Sequence, residues 1–166
     1  GCVTQVGEQG FNIARNAVLI AGFPVEVTGT SVNRQCGSSQ QAASFAAQAV
    51  MSGMMDCVIA AGVEGMSRVP MGQDGMNGPG SPISQILYDK YQIVPQGISA
   101  EMVAEKWGIT RQEVDKFSYD SHVKAARAIR EGRFKKEILP VEVVLPDGTK
   151  TMFDTDEGVR MEPNLE

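Results

Sequence analysis

The chain has 166 residues, about one ordinary domain, of which 42% are hydrophobic and 21% charged. This composition excludes a disordered chain, and 18 Gly with 8 Pro in no strict period exclude collagen and indicate many turns. Lys and Arg number 15 against 20 Asp and Glu, so the net charge of −5 argues against binding to nucleic acid or to an anionic membrane surface. No apolar run approaches the roughly 18 residues that a transmembrane helix needs, so we expect no membrane partner.

The two ends of the sequence and its cysteines bear on the compartment. The chain begins at Gly1 rather than Met and opens without a targeting segment, so we expect an internal piece of a longer protein. Three cysteines without C-x-x-C spacing predict neither a disulfide framework nor a zinc site, and they favour a reducing compartment. We therefore expect a cytoplasmic protein, with the peroxisome and the mitochondrion left open. Cys2 and Cys57 lie in apolar runs, which predicts that both are small buried hydrophobes.

The first 64 residues alternate between helix-forming and strand-forming segments. The predicted elements are, in chain order, a helix at 12–21, a strand at 25–33, a turn at 35–39, a helix at 40–52 and a strand within 54–63. Small apolar residues cover most of the circumference of the second helix, a pattern typical of burial on several sides. Strand, helix and strand over residues 25–63 predict a right-handed βαβ unit.

From residue 65 onward, a glycine-rich loop at 65–80 leads into mostly helical sequence. The predicted elements are a helix at 98–107 closed by Gly108, a long helix opened by the capping box T-R-Q-E at 110–113 and closed by Gly132, and a hairpin of residues 141–145 and 150–153 around Pro146-Asp147-Gly148. The chain is thus predicted to divide into an α/β core piece up to about residue 64 and a mostly helical excursion that ends in a hairpin.

Cys36 lies where this pattern predicts a nucleophile. A strand ending near Asn33, a sharp turn and a helix beginning near Gly37 place Cys36 at the N-terminal end of that helix. There the free N–H groups and the positive end of the helix dipole favour the thiolate, which is the reactive form of cysteine. Gly37 allows close approach of the backbone to the group attacked, and Ser38 is a candidate helix cap. The residues alone leave open both a reactive Cys36 and an inert helix-terminal cysteine.

Several stretches of the sequence together resemble the thiolase family. They are GCVTQVGEQ at 1–9, SVNRQCGSSQQA at 31–42, VIAAGVEGMSR at 58–68, SAEMVAEKWGITRQEVDKF at 99–117, EGRFKKEILPV at 131–141 and DEGVR at 156–160. These blocks follow the family's order and cover essentially the whole chain. The resemblance implies an α/β fold with a thiolase-like βαβ core at 1–64, part of an αβαβα layered fold. It also implies a mostly helical loop domain that binds CoA, at 65–166.

The resemblance implies acyl transfer in two steps. The Cys36 thiolate attacks the keto carbon of a 3-ketoacyl-CoA, acetyl-CoA leaves, and a second CoA removes the shortened acyl chain from the sulfur; the reverse reaction is a condensation. Coenzyme A is then a substrate, and neither a separate cofactor nor a metal is implied. The family takes its base from a histidine in a G-H-P motif and its acid from a second cysteine. Both belong to a C-terminal half absent from this sequence, so we expect little or no turnover from these residues alone.

The resemblance also suggests residues that contact the substrate. Gln96 and Gly97 stand where many thiolases have a Met-Gly pair that lines the acyl or pantetheine tunnel. Arg160 matches an arginine that contacts the nucleotide end of CoA in some relatives, and an arginine suits a phosphate. Met66 follows the second predicted strand, where active sites of α/β proteins gather. Ser39 stands where the family usually has Gly and adds bulk beside the nucleophile.

Other interpretations of the sequence stay open. A ketoacyl-synthase-like condensing enzyme also uses a helix-terminal cysteine, and a non-catalytic relative that binds CoA or lipid would keep the fold without the chemistry. No G-x-G-x-x-G supports a dinucleotide fold. His122, the only histidine, lies in the long helix outside any G-H-P pattern and is interpreted as a structural residue. In the family the strand before the nucleophile pairs with its two-fold mate, so residues 25–32 are the predicted seam of a homodimer or tetramer.

Overall fold

The computed structural model describes residues 1–76 and 78–165. The chain forms two compact units, Gly1–Tyr91 and Gln92–Glu166. The division predicted from the sequence pattern lies earlier, at residue 64, and it stays a prediction. None of the helices in the described ranges combines the length and apolarity that a membrane crossing needs.

The first unit contains four helices in its described part. They are α1 (Ile13–Ile20), α2 (Ser38–Met51), α3 (Gln73–Met76) and α4 (Gln85–Lys90), preceded by a single 3-10 turn at Gly7–Gln9. The helices predicted at 12–21 and 40–52 are confirmed as α1 and α2. Helix α1 begins after Asn12, whose side-chain oxygen accepts a hydrogen bond from the Arg15 N–H at 3.3 Å. This is the capping contact that asparagine commonly supplies at a helix start.

The two strands predicted in this unit, at 25–33 and 54–63, are not regular strands in the structure. Main-chain hydrogen bonds join both segments to the first residues of the chain, and the Arg15 side chain of α1 also bonds to the first segment. The Cys2 N–H donates to the Val32 carbonyl at 3.0 Å. The Gly1 amine donates to the Ala61 oxygen at 2.8 Å, and the Val63 N–H donates to the Gly1 oxygen at 3.1 Å. The contacts of Gly1 with Ala61 and Val63 have the spacing of parallel pairing. One residue of 25–33 and two of 54–63 are too few for a ladder, so the predicted βαβ unit is not formed as a sheet.

Helix α2 is more exposed than its sequence predicts. Phe45 is 50% exposed and Met51 86%, and Ser38 is the only buried residue of the helix. The prediction that α2 is buried on several sides is therefore wrong for this chain, because the described residues supply no layer over its apolar face. The same reason applies to Cys57, predicted to be buried and found exposed, whereas Cys2 is buried as predicted.

The second unit contains two long helices and a hairpin. Its helices are α5 (Gln96–Trp107) and α6 (Arg111–Arg130), followed by a 3-10 turn at Arg133–Lys136 and by strands β1 (Val141–Val144) and β2 (Lys150–Phe153). The two strands are antiparallel, with Val141 opposite Phe153. The two helices and the hairpin were predicted, and α5 begins two residues earlier than expected; the 3-10 turn was not predicted.

Local signals fix the ends of these elements. Gly108 follows α5 with φ of 64° and Gly132 follows α6 with φ of 67°, the left-handed conformation that closes helices and suits glycine. The capping box of α6 is complete, because the Thr110 hydroxyl accepts from the Glu113 N–H at 3.3 Å and the Glu113 carboxylate accepts from the Thr110 N–H at 2.8 Å. In the hairpin turn, Asp147 accepts a hydrogen bond from the Thr149 N–H at 2.9 Å.

Candidate active site

Cys36 lies in a sharp turn immediately before α2, as the sequence predicts. Gly37 is the N-cap residue of this helix and Ser38 is its first helical residue. The thiol is exposed rather than enclosed in apolar side chains. Gln35, the residue before it, has φ of 47°, a left-handed conformation that is uncommon for a residue with a side chain. Such conformations persist where surrounding contacts hold them, and they gather at functional sites.

Two side chains hold this turn, and we call residues 33–38 the elbow. The Asn33 side-chain oxygen accepts a hydrogen bond from the Gln35 N–H at 2.9 Å. The Ser38 hydroxyl donates to the Gln35 carbonyl at 2.6 Å and accepts from the Arg34 N–H at 2.9 Å. Ser38, expected to cap α2, therefore fastens the elbow instead, and the N-cap residue Gly37 has no side chain with which to cap the helix. Cys36 therefore directly precedes the N-cap residue of α2, and the first-turn N–H groups of a helix carry the positive end of its dipole.

A polar cluster around Glu64 is connected to the elbow, and the sequence analysis did not single it out. The Glu64 carboxylate accepts hydrogen bonds from the Val3 N–H at 2.8 Å, from the Thr4 N–H at 3.2 Å and from the Gln9 side-chain amide at 2.9 Å. The Val3 N–H, followed by the Gln9 and Thr4 groups, holds the pKa of Glu64 below its ordinary value. Gln9 and Thr4 are buried, so these donors have few other partners.

The cluster is connected to the elbow through one side chain. The Asn33 amide nitrogen donates to the Val3 carbonyl at 2.9 Å, while the oxygen of the same side chain holds Gln35. Gln9 extends the cluster on the other side, because its side-chain oxygen accepts from the Gly65 N–H at 2.6 Å. These hydrogen bonds join three segments of the chain: the one that begins at Gly1, the one that ends at Asn33 and the one that ends at Gly65.

The side chain of Ser39 lies against Gly62. A Cβ atom added at Gly62 would lie 1.9 Å from the Ser39 hydroxyl oxygen and 3.1 Å from the Ser39 Cβ. The side chain of Ser39 therefore fills space that only a glycine at position 62 leaves free. The extra bulk that the sequence places beside the nucleophile is accommodated by this glycine.

Met66 lies in the first unit, in a turn that an ion pair holds. The Arg68 N–H donates to the Gly65 carbonyl at 3.0 Å, and the Arg68 guanidinium binds both carboxylate oxygens of Glu8, with Nη2 to Oε2 at 2.7 Å. The Arg68 side chain lowers the pKa of Glu8 by hydrogen bonding to the carboxylate. Met66 is half exposed, as a side chain that contacts substrate needs to be.

The other predicted substrate residues belong to the second unit. Gln96 and Gly97 are the first two residues of α5. The backbone N–H of Arg160 donates to Nδ1 of His122 at 3.1 Å, and the Arg130 guanidinium donates to the Met161 carbonyl at 2.6 Å. Helix α6 therefore holds the segment that carries Arg160 at two points. The structural role predicted for His122 agrees with this contact, since Nδ1 serves as an acceptor for a main-chain N–H.

Comparison with known proteins decides the family. Residues 1–166 match the family described as the thiolase N-terminal domain. The chain belongs to the thiolase family. It is 44% identical to a steroid 3-ketoacyl-CoA thiolase of Mycobacterium tuberculosis, over 100% of this chain and 41% of that protein. It is 44% identical to a 3-ketoacyl-CoA thiolase of Vibrio vulnificus, over 100% of this chain and 42% of that one. It is 46% identical to a 3-ketoacyl-CoA thiolase of Vibrio cholerae, over 99% of this chain and 42% of that protein.

Family membership confirms the resemblance that the six sequence blocks carry and the α/β fold class. The chain spans about two fifths of the length of the curated thiolases that it matches. Within residues 1–76 and 78–165, no group of three or more His, Cys, Asp or Glu side chains is placed to hold a metal ion.

Proposed function

We propose that the whole protein is a thiolase-type acyltransferase that cleaves a 3-ketoacyl-CoA with CoA, or runs the reverse condensation, and that Cys36 is its nucleophile. The observation that carries the proposal is the elbow. It presents an exposed thiol at the start of α2, where no side chain caps the helix. The left-handed Gln35 precedes this thiol, and the side chains of Asn33 and Ser38 hold Gln35 in place. A thiol in this position is exposed and directly precedes the N-terminus of a helix, two features that reactive cysteines share.

The reaction follows from a thiolate at this position. The Cys36 sulfur forms a bond to the keto carbon, and the adjacent carbon–carbon bond breaks. The electron pair of that bond remains on the departing carbon, which takes a proton and leaves as acetyl-CoA. A second CoA thiol then loses its proton to a base and attacks the thioester, so that the shortened acyl-CoA leaves and the Cys36 thiolate is restored. Acid and base come from the remainder of the whole protein, so the 166 residues alone are expected to give little or no turnover.

The four substrate residues divide between the two ends of an acyl-CoA. We assign Met66, Gln96 and Gly97 to the acyl and pantetheine part and Arg160 to the nucleotide part. The half-exposed Met66 and the held backbone of Arg160 support these roles. Coenzyme A enters as a substrate, with no further cofactor. The finer fold belongs to the same proposal: a βαβ core within an αβαβα layered fold, a mostly helical loop domain, and cytoplasmic location.

The start of the predicted seam at residues 25–32 is contacted by α1. The Arg15 guanidinium of α1 donates to the carbonyl oxygens of Val25, at 2.9 Å, and Val27. Residues 25 and 26 form a turn that the Val27 N–H closes on the Pro24 carbonyl at 3.0 Å, so the pairing with a second copy of the protein is proposed for the rest of the segment, residues 27–32. Light scattering of the whole protein tests this part, because a monomer would contradict the proposed homodimer or tetramer.

The decisive experiment supplies a 3-ketoacyl-CoA and CoA to the whole protein and follows acetyl-CoA release together with the mass of the Cys36 peptide. We expect turnover and an acyl group on Cys36. Replacement Cys36→Ser is expected to lower kcat by about 10⁴-fold or more, since the nucleophile is lost. The matched variant Cys57→Ser, at the other exposed cysteine, is expected to keep its activity. Binding of CoA without turnover would favour the non-catalytic relative, and condensation without thiolysis would favour the synthase-like enzyme.

A further inference from the structure

We propose that Glu64 is a positioning residue for Cys36, acting through the Val3–Thr4 peptide and the Asn33 side chain to hold the elbow. The inference rests on the proposed function, because it concerns the same nucleophile. It assigns to a carboxylate outside the elbow a role in the geometry of the reacting sulfur.

The first step of the connection passes through a single peptide group. The Thr4 N–H donates to Glu64 Oε1 at 3.2 Å, and the Val3 carbonyl of the same peptide accepts from the Asn33 amide nitrogen at 2.9 Å. Hydrogen bonds at the two ends of one peptide group polarise it and strengthen each other. A carboxylate on the N–H side therefore makes the Val3 carbonyl a better acceptor for Asn33.

The second step passes through the two ends of the Asn33 side chain. Since its nitrogen donates to the Val3 carbonyl, its oxygen is directed to the Gln35 N–H, which donates to it at 2.9 Å. Gln35 is the left-handed residue of the elbow, with φ of 47°. A conformation of this kind needs contacts that hold it, and Gln35 is joined directly to Cys36. Loss of the Asn33 contact would let the turn relax and move the sulfur away from the start of α2.

The charge of Glu64 is suited to this role. The groups that bond to it are donors, among them the main-chain N–H groups of Val3 and Thr4 and the Gln9 side-chain amide. Hydrogen bonds to an ionised acceptor are about twice as strong as neutral ones. An amide in the place of the carboxylate has only one acceptor oxygen, so a donor would face a donor.

The test compares the rate at which iodoacetamide alkylates Cys36 in the whole protein and in variants. We expect Glu64→Gln to lower this rate, and kcat, by about tenfold, because small displacements of a reacting group have large effects on rate. The KM for CoA should stay within about twofold, since no binding contact changes. Asn33→Ala interrupts the same connection without touching Glu64, and the double variant is expected to be no slower than the slower single variant.

A second substitution at the elbow separates positioning from general stability. Glycine adopts left-handed conformations without steric cost, so Gln35→Gly removes the need to hold the turn. We expect Gln35→Gly to bring the alkylation rate of Glu64→Gln back to within about threefold of the parent protein, without restoring its lost thermal stability. The control Glu8→Gln removes another carboxylate of the first unit, whose partner is Arg68, and should leave Cys36 alkylation unchanged.

Three results would overturn the proposal: an unchanged alkylation rate in Glu64→Gln, additive effects of Glu64→Gln and Asn33→Ala, or no restoration by Gln35→Gly. If Glu64→Gln folds poorly by circular dichroism, Asn33→Ala with and without Gln35→Gly decides the question by the same criterion. Alkylation needs no acyl substrate. A Glu64-dependent Cys36 in a protein without thiolysis would therefore contradict the proposed function and leave the positioning role standing.

Discussion

Helix α6 and the elbow are held by contacts of different range. The capping box of α6 joins Thr110 and Glu113, three residues apart. The elbow is held both by its own side chains and by Asn33 bonded to Val3, which lies 30 residues earlier, and Val3 is in turn bonded to Glu64, 61 residues later. The elements of the second unit are therefore determined by local contacts. The site depends on segments that meet only when the first unit folds.

The largest expected consequence is a difference in hydrogen exchange between the two regions of the 166-residue chain. We expect the amides of α6 to exchange about 100-fold more slowly than those of residues 54–60, because the first group is bonded within a long helix and the second has no strand partner. Exchange measured by mass spectrometry or NMR checks this. Equal exchange rates in the two groups would contradict the proposed difference between local and long-range contacts.

A methyl group at Gly62 is expected to have the next largest effect. Gly62→Ala places its Cβ within 3.1 Å of the Ser39 Cβ and closer to the hydroxyl, so we expect the protein to lose about 2 kcal/mol of stability through overpacking. Urea unfolding of the whole protein measures the loss.

Two variants test the cause of that loss. Ser39→Gly removes the side chain that the methyl would meet, and it should restore most of the stability of Gly62→Ala. Gly78→Ala is the matched control, because a Cβ there meets nothing within 4 Å. A loss as large at Gly78 as at Gly62 would contradict the assigned contact.

A smaller effect is expected at the start of α6. Thr110→Ala removes the hydroxyl that accepts from the Glu113 N–H, and the loss of such a cap costs about 1 kcal/mol. Thr110→Ser keeps a hydroxyl and is the matched variant. Thermal unfolding followed by circular dichroism measures both, and equal destabilisation by Ala and Ser would show that the cap contributes nothing. Cys36 alkylation is expected to be the same in both variants, since this contact is local.

The smallest expected effect is a pH dependence of the stability that Glu64 contributes to the fold. Main-chain hydrogen bonds, that from the Val3 N–H first, hold the pKa of folded Glu64 below its ordinary value, whereas the unfolded chain has the ordinary value of about 4.3. The folded protein therefore binds fewer protons, so Glu64 contributes stability above about pH 5 that is lost as the pH falls through the folded pKa.

Melting temperatures across this pH range test the assignment. We expect the melting temperature of the parent protein to exceed that of Glu64→Gln most at neutral pH. In acid the two melting temperatures should become equal. A difference that stays constant with pH would mean that the charge of Glu64 contributes nothing to the fold.

The sequence predicts those parts of the molecule whose signals are local. Caps and turn residues place α5, α6 and the hairpin, and a strand-to-helix turn places Cys36 before α2. The strands predicted at 25–33 and 54–63 fail because a strand needs a partner and the described chain offers only Gly1 and Cys2 between them. Two of the quoted blocks contain Glu64, Gln9 and Thr4, but their letters do not reveal the contacts of the cluster, because its donors are mostly main-chain N–H groups.

Three details of the site could not be obtained from residue types alone. The left-handed Gln35 is a conformation that the sequence letter does not favour. Ser38 suited a helix cap and fastens the elbow instead, because its hydroxyl reaches the Gln35 carbonyl. Ser39 was recognised as extra bulk, but its fit against Gly62 needs both segments in place.

Competitive alkylation of the 166-residue chain at neutral pH tests the central claim, that the elbow makes Cys36 reactive. Cys36 and Cys57 are both exposed and Cys2 is buried, so exposure alone predicts equal labelling of the first two. With limiting iodoacetamide and peptide mass spectrometry, we expect Cys36 to be labelled well ahead of Cys57, and Cys2 to be spared. Labelling of Cys57 as fast as Cys36, or faster, would contradict the account.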